Sequence, residues 1–483
     1  MIQRQSTKSN AAFVAVPIMN YDDEGTLRPS QQDADMESPQ LGVYLLVGQL
    51  DANDCNIDLH DWVANQDWSF DELIDRLSNY SVLFFSCNSM NWSVVLLIAT
   101  HLKRINPTIK TVVGGPHPTH YPESVIASGK FDFYFRGEAD RHITSIYKFL
   151  TSEKTELDHE VPGFGQPGRQ IPKIHQESVL AKVPWNPAYY RLPDNKFLTV
   201  PVETSRGCKF QCTFCSIPAK KNWRGYDTDF ALKQLEIANS YISKSRISRI
   251  SIVDDTFTTD HLRTMAIMDG LSRSDFDKKL LFDATIVDLL NEELVSSIVP
   301  YCGDLLVGAE VASKKDAKMI RKACTPQLIW RAAENLQAAG ISDRAVFSFI
   351  MGFPWHNKQD CIEIVRLVKN LVMQCGVRSY LQWYWPMPGS EIWGGLKEKN
   401  LVGFEMVDEI GFFRHNEWFF SVRELSLEDA IEIDQKAKIV QTIASISSGM
   451  KRAKAIEYSS PIKKMHKVNR APHVVSEAMD SPV

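Results

Sequence analysis

Three cysteines fall within eight residues, Cys208, Cys212 and Cys215, in the run Ser205-Arg206-Gly207-Cys208-Lys209-Phe210-Gln211-Cys212-Thr213-Phe214-Cys215. Three thiolates on one short loop can hold three corners of an iron–sulfur cube. The fourth iron then has no protein ligand nearby, and an open position is where a small molecule can bind and take up an electron. A structural zinc site usually shows two separated cysteine pairs, whereas Cys302, Cys324, Cys361 and Cys375 are scattered. A disulfide framework is not expected in 483 residues with nine cysteines and no visible signal peptide. A chance cluster of core cysteines is the plain alternative.

Other chemistry-bearing residues stand at predicted strand ends. They are Asp254-Asp255-Thr256, Gly308-Ala309-Glu310, Gly352-Phe353-Pro354 and Pro386-Met387-Pro388-Gly389-Ser390. An aspartate there can also serve as a helix N-cap, and the glycines can be ordinary turns. A carboxylate such as Glu310 at a strand end is seldom mere core. Trp355, His356, Trp383, Tyr384, Trp385, Trp393 and Trp418 make an aromatic-rich neighbourhood. Of these, Trp355, His356, Tyr384 and Trp385 are the substrate candidates. Core packing competes for the aromatic rings, and a loop role competes for a general-base role of His356.

The elements that must position these residues read as an α/β protein. In the first third, strands are expected at Ala12–Ile18, Asn56–Leu59, Ser81–Ser86, Lys110–Val113 and Phe131–Phe135, with helices at Pro39–Leu50 and Trp92–Arg104. Continuous apolar runs such as Ser81–Ser86 suit parallel strands covered on both faces. This is the pattern of a doubly wound sheet with ligands at the carboxyl ends of its strands. From about 195 to 400, six strand–helix units start with Leu198–Thr204 and end with Ser379–Tyr384, suggesting a partial (β/α)6 barrel. The expected division is 1–150, a linker 151–194, the barrel 195–400, a small helical cap 401–456 and a flexible tail 457–483. The cap's main helix, Leu427–Ile446, is entered through Ser426 with Asp429 three residues on.

Composition is that of a globular chain, 44% hydrophobic and 23% charged, with net charge −5. No basic footprint for nucleic acid is visible, and no apolar run reaches the roughly 18 residues needed to span a bilayer. With no signal peptide, a reducing cytoplasm is expected.

The spacing Cys-x3-Cys-x-aromatic-Cys after a strand resembles the signature of the radical S-adenosylmethionine (SAM) enzymes. The upstream order, with Pro39-Gln40-Leu41-Gly42, Val112-Val113-Gly114-Gly115-Pro116-His117 and Phe135-Arg136-Gly137-Glu138, is similar to the Rossmann-like cobalamin-binding domains fused to some of them. The resemblance implies a [4Fe-4S] cluster on the three cysteines and SAM contacts at Phe214, Asp254, Asp255, Thr256, Glu310, Gly352 and Pro388. It also implies cobalamin contacts at Asn20, Ser86, Asn88, Ser89, Gly114, Gly115, His117, Gly137 and Glu138. Three departures stand out. The Asp-x-His-x-x-Gly motif that ligates cobalt from below is absent after the first strand, with only a partial echo at Asp58-Leu59-His60. Val311 replaces the serine of Gly-x-Glu-Ser, and an arginine that often stands near Ile286 to meet the SAM carboxylate is missing.

The chemistry implied is reductive cleavage of SAM to methionine and a 5′-deoxyadenosyl radical, hydrogen abstraction from an unactivated carbon, and methyl transfer from methylcobalamin. The partners implied are a small-molecule substrate and an electron donor such as flavodoxin or ferredoxin. Ring closure or rearrangement runs on the same domain order, and a non-catalytic cluster- or corrinoid-binding sensor is the alternative of another class.

Overall fold

The computed structural model describes residues 9–21, 26–29, 39–65, 67–152, 157, 159–183, 199–242, 249–410 and 416–447. The expected tail 457–483 and the end of the expected cap lie outside them, as does the side chain of Trp418.

Strand β1 (Ala11–Ala15) is an inner strand of the N-terminal sheet, and all five of its residues are buried. Side chains alternate across a strand, so Ala11, Phe13 and Ala15 enter one apolar core and Ala12 and Val14 the other. Around it run β2 (Asp58–Asp61), β3 (Val82–Ser86), β4 (Lys110–Gly114), β5 (Phe133–Phe135) and β6 (Phe164–Gly165) in the order β2-β1-β3-β4-β5-β6. The first five are parallel, and β6 adds antiparallel to β5. Helices Leu41–Ala52 and Trp92–Ile105 bury their apolar residues in the two different cores, on opposite faces. Order reverses between β1 and β3, which makes that carboxyl edge the crevice for a ligand.

The single strand expected over Ala12–Ile18 is two elements. Pro17 has no N–H for a ladder bond, the strand stops at Ala15, and Met19–Tyr21 pairs antiparallel with Leu27–Pro29. The helix expected from Pro39 begins at Leu41, after Gln40 as its N-cap.

The second sheet holds β7 (Thr199–Val202), β8 (Arg249–Ile252), β9 (Lys279–Thr285), β10 (Cys302–Glu310), β11 (Ala345–Met351) and β12 (Arg378–Trp383). They pair in sequence order and all in parallel. Between them run Thr228–Ile242, His261–Ser272, Glu292–Ile298, Pro326–Ala338 and Lys358–Cys375, which gives an open barrel of six units. Side-chain caps define where several start: Asp260 accepts from Arg263 N, Asn291 from Leu294 N, and Asn357 forms a capping box with Asp360. Arg249 and Arg378 both bind Asp304 inside the barrel near the amino-terminal ends of its strands, closing that end with charge.

Helix Leu427–Ser447 packs on Lys358–Cys375, and its start is held by Ser426 Oγ accepting from Asp429 N at 3.1 Å. The segment from Glu391 to Asp408 instead joins the N-terminal core, where Trp393, Leu396, Met406 and Val407 pack beside Trp92 and Tyr121. Trp92 Nε1 donates to Asp408 Oδ1 at 2.6 Å.

Candidate active site

The cysteine loop leaves β7 through a short antiparallel pair, Ser205–Arg206 with Arg224–Gly225, which closes the neck around residues 207–223. Gly207 has φ +86°, and a Cβ there would stand 2.2 Å from the Asn222 carbonyl oxygen, so only glycine lets the loop cross its own exit. Cys208, Cys212 and Cys215 are half-buried while the other six cysteines are buried. Phe210 N donates to Cys208 Sγ and Ile217 N to Cys215 Sγ, each at 3.5 Å. Burial pushes the Cys212 thiol up to about 11 and raises Cys215 as well, so without a metal they rest as thiols. The three sulfurs do not all lie within 4.8 Å of one another.

Asp254 and Asp255 have separate tasks. Asp254 is buried and accepts from Thr204 N, Thr204 Oγ1 and Ser205 Oγ, each at 2.6 Å. It binds the end of β7 to the end of β8 and, as placed, has its oxygens turned away from a ligand. Burial raises its pKa to about 6, against those donors. Asp255 is exposed and receives Gly207 N at 2.8 Å, which joins the carboxylate to the cysteine loop. Neither is an N-cap; Asp260 caps the next helix. Thr256 is buried, with Oγ1 3.9 Å from Cys208 Sγ.

Glu310 ends β10 with φ +65° and accepts from the half-buried Lys322 ammonium at 2.6 Å. A Cβ on Gly308 would stand 2.3 Å from Lys322 Nζ, so the glycine makes room for this pair. Burial opposes the Lys322 charge, but Glu310 and Cys212 outweigh it and hold its pKa above the ordinary value. Asp283, on the inner face of β9, is pushed up to about 7 by burial and by Asp255. Sequence reasoning missed Lys322 and Asp283, because nothing local marks a lone lysine after a short helix or an aspartate within a strand.

Phe214 meets Phe353 at 5.9 Å, and Phe353 stacks on Trp355 and leans on Tyr384, both at 4.9 Å. Gly352 turns at φ +69° beside Trp383, and Pro388 is buried. Two substrate candidates are turned to a structural partner: Trp355 Nε1 donates to Asp316 Oδ1 at 2.9 Å, and His356 Nε2 lies 3.5 Å from the same oxygen with its side chain fully buried. Burial therefore argues against His356 as a general base. Tyr384 is buried and Trp385 half-buried against Phe419.

At the N-terminal sheet, Asn20, Ser86, Asn88 and Gly114 are half-buried along the carboxyl edge. Asn88 Oδ1 accepts from Met90 N and Asn91 N, which makes it a turn former. His117 does not face that edge: it is fully buried, stacks on Trp92 at 4.4 Å, and its ring nitrogens meet Ser89 Oγ and Ser124 Oγ. Ser89 is thereby spent in the core. A Cβ on Gly115 would meet the Cys87 carbonyl oxygen at 2.6 Å, and one on Gly137 (φ +106°) would meet that of His175 at 1.9 Å. Both glycines answer to chain packing rather than to a ligand.

Glu138 faces the barrel instead. Its carboxylate takes Arg224 bidentately at 2.7 and 2.8 Å. Next to it Asp140 takes Arg206 at 2.9 and 3.2 Å, and Arg206 also binds Glu203. Both arginines belong to the neck of the cysteine loop, so this network fastens the N-terminal sheet to that loop.

The family descriptions Radical SAM superfamily and B12 binding domain match residues 202–368 and 32–146, respectively. The chain belongs to the radical SAM enzymes that carry a B12-binding domain. These domains imply a [4Fe-4S] cluster, SAM and cobalamin. An uncharacterized methyltransferase of Pyrococcus horikoshii is 28% identical over 321 residues, 63% of this chain and 67% of that protein. Anaerobic magnesium-protoporphyrin IX monomethyl ester cyclase of Rubrivivax gelatinosus is 22% identical over 353 residues, 69% of this chain and 62% of the cyclase. The solved structure of the cobalamin-dependent SAM radical enzyme OxsB, with aqua-cobalamin and SAM bound, shares the fold: TM-score 0.60, 18% identity, 81% of this chain and 55% of that one. The chain thus spans less than two thirds of the cyclase and of OxsB. Among the described residues no helix is long and apolar enough to cross a membrane.

The residues present fit these groups. The half-buried thiols with their N–H donors suit a cluster. The half-buried Ser86 and Gly114 leave a polar and an open position on the sheet edge for a corrinoid.

Proposed function

We propose that this enzyme methylates an unactivated carbon of a small molecule. The observation that carries the reading is the fastening of the cysteine-loop neck to the B12-binding domain through Arg224–Glu138 and Arg206–Asp140, which sets the two cofactor regions against each other. When bound, the cluster and SAM supply a carbon-centred radical and cobalamin supplies the methyl group. The chain's own residues bind and orient. Asp255, anchored through Gly207 N, offers a carboxylate to an ammonium. Val253 and Leu306, 41% and 42% exposed at the barrel strands, offer apolar area to a flat ligand. The Lys322–Glu310 pair brings fixed charge beside Cys212. A flavodoxin or ferredoxin in a reducing cytoplasm completes the reading as electron donor.

The test is anaerobic incubation of reconstituted enzyme with SAM, a reductant and small-molecule extract, with S-adenosylhomocysteine and 5′-deoxyadenosine both quantified. Methyl transfer predicts both products. Deoxyadenosine alone would replace methylation by ring closure, the second reading, which the cyclase relative favours. No cleavage of SAM would leave a cluster- or corrinoid-binding sensor.

A further inference from the structure

His142, His175 and Glu177 converge where the N-terminal sheet meets the chain leading to the barrel. One ligand atom from each lies within 4.8 Å of the other two. His175 Nε2 and Glu177 Oε1 are 3.3 Å apart, and two ligands on one tetrahedral zinc, at 2.0–2.1 Å from it, are also about 3.3 Å apart. The two imidazole rings meet edge-on, with centroids 4.9 Å apart and planes at 65°.

Backbone contacts define this convergence. His142 starts helix Ile143–Thr151, and its side chain makes no capping bond there. His175 N donates to Arg136 O at 2.9 Å and Glu138 N to His175 O at 3.0 Å, which lays the incoming segment along Gly137. Glu177 N donates to Glu138 Oε2 at 3.0 Å. The Glu177 side chain is 9% exposed, and Arg141 Nε holds its Oε2 at 3.1 Å. The other oxygen is the one turned to His175, an arrangement in which an outer cation orients a ligating carboxylate.

We propose that His142, His175 and Glu177 bind a divalent transition-metal ion of the zinc class, apart from the cysteine loop. Two imidazoles and a carboxylate select such an ion over magnesium or calcium, and water would complete the tetrahedron. The ion would staple the segment around His175 to the sheet. Glu177 O accepts from Arg224 at 2.6 Å, so the staple stands directly behind the Glu138–Arg224 clamp and stiffens the seam between the domains.

The experiment uses the full untagged chain with Cys208, Cys212 and Cys215 replaced by alanine, so that the cluster thiols cannot take zinc; the six remaining cysteines are buried. Zinc is titrated under reducing conditions against a chromophoric chelator, and cobalt(II) is added separately to read ligand geometry by absorption. One equivalent of zinc and a four-coordinate cobalt spectrum are expected. Adding His142→Ala and His175→Ala should weaken binding at least 100-fold and abolish that spectrum, while His159→Ala, in the exposed chain nearby, should change neither. If the double variant does not fold, His142→Gln gives the same readout. Absence of zinc uptake, or uptake undiminished by the histidine variants, overturns the proposal.

Discussion

The clamp between Glu138 and Arg224 makes a quantitative demand. The pair is bidentate at 2.7 and 2.8 Å, and its side chains are only 11% and 8% exposed. Breaking a buried pair by removing one partner costs about 3–5 kcal/mol, because the other charge stays buried. Neither residue is wholly abandoned here. Without Arg224, Glu138 keeps Glu177 N at 3.0 Å and Arg206 at 3.6 Å; without the carboxylate, Arg224 keeps the Glu177 and Asn222 carbonyls. Arg224→Met and Glu138→Gln should therefore each cost about 2–3 kcal/mol, at or just below the lower bound of that range. Their combination should cost less than the sum, with a coupling of at least about 1.5 kcal/mol. The assay is urea unfolding of the metal-free protein and the three variants, followed by tryptophan fluorescence. Iron content after reconstitution serves as the control, since neither residue is a cluster ligand. A coupling below about 0.5 kcal/mol, the level of independent sites, would refute the clamp and with it the main support for setting the two cofactor regions against each other.

Three further outcomes are expected. Asp255→Asn should weaken SAM binding about tenfold, the loss of roughly one charge-assisted hydrogen bond, and leave iron content intact; unchanged affinity by equilibrium dialysis retires that role. Gly137→Ala should destabilise by more than about 3 kcal/mol, since the new Cβ would stand 1.9 Å from the His175 carbonyl oxygen in a left-handed conformation, and a thermal midpoint within a degree of the parent counts against the packing described. Burial raises the pKa of Asp316, but the facing His356 ring at 3.5 Å, with donation from Ser313 and Trp355, outweighs it and brings it from 3.8 to about 2. A depressed folded value contributes stability that is present above pH 3.8 and is lost as pH falls through about 2. Asp316→Asn should remove about 2 kcal/mol of pH-dependent stability across that window in acid unfolding of the metal-free protein, and parallel curves for parent and variant would contradict it.

Much of the architecture is readable from neighbours in the chain. The three cysteines stand out because they share one loop, and their spacing survives any arrangement of the rest. Apolar runs such as Val82–Ser86 and the capped, periodic helices make the alternation of strand and helix visible, because burial on both faces of a parallel strand is written into consecutive residues. Even Asp255 and Glu310 could be singled out by standing at strand ends. What the tertiary structure alone decided is which of these residues are taken up by partners elsewhere in the chain. Glu138 and Gly137 look like a ligand-binding turn, yet one is claimed by Arg224, 86 residues away, and the other by the His175 carbonyl. His117 follows a glycine pair at the right strand end but rotates into the core against Trp92. Lys322 carries no local mark and becomes a half-buried cation of the site by meeting Glu310. Pairings of this kind join residues remote in sequence, and their energy comes from desolvation and geometry that exist only once the sheets have packed.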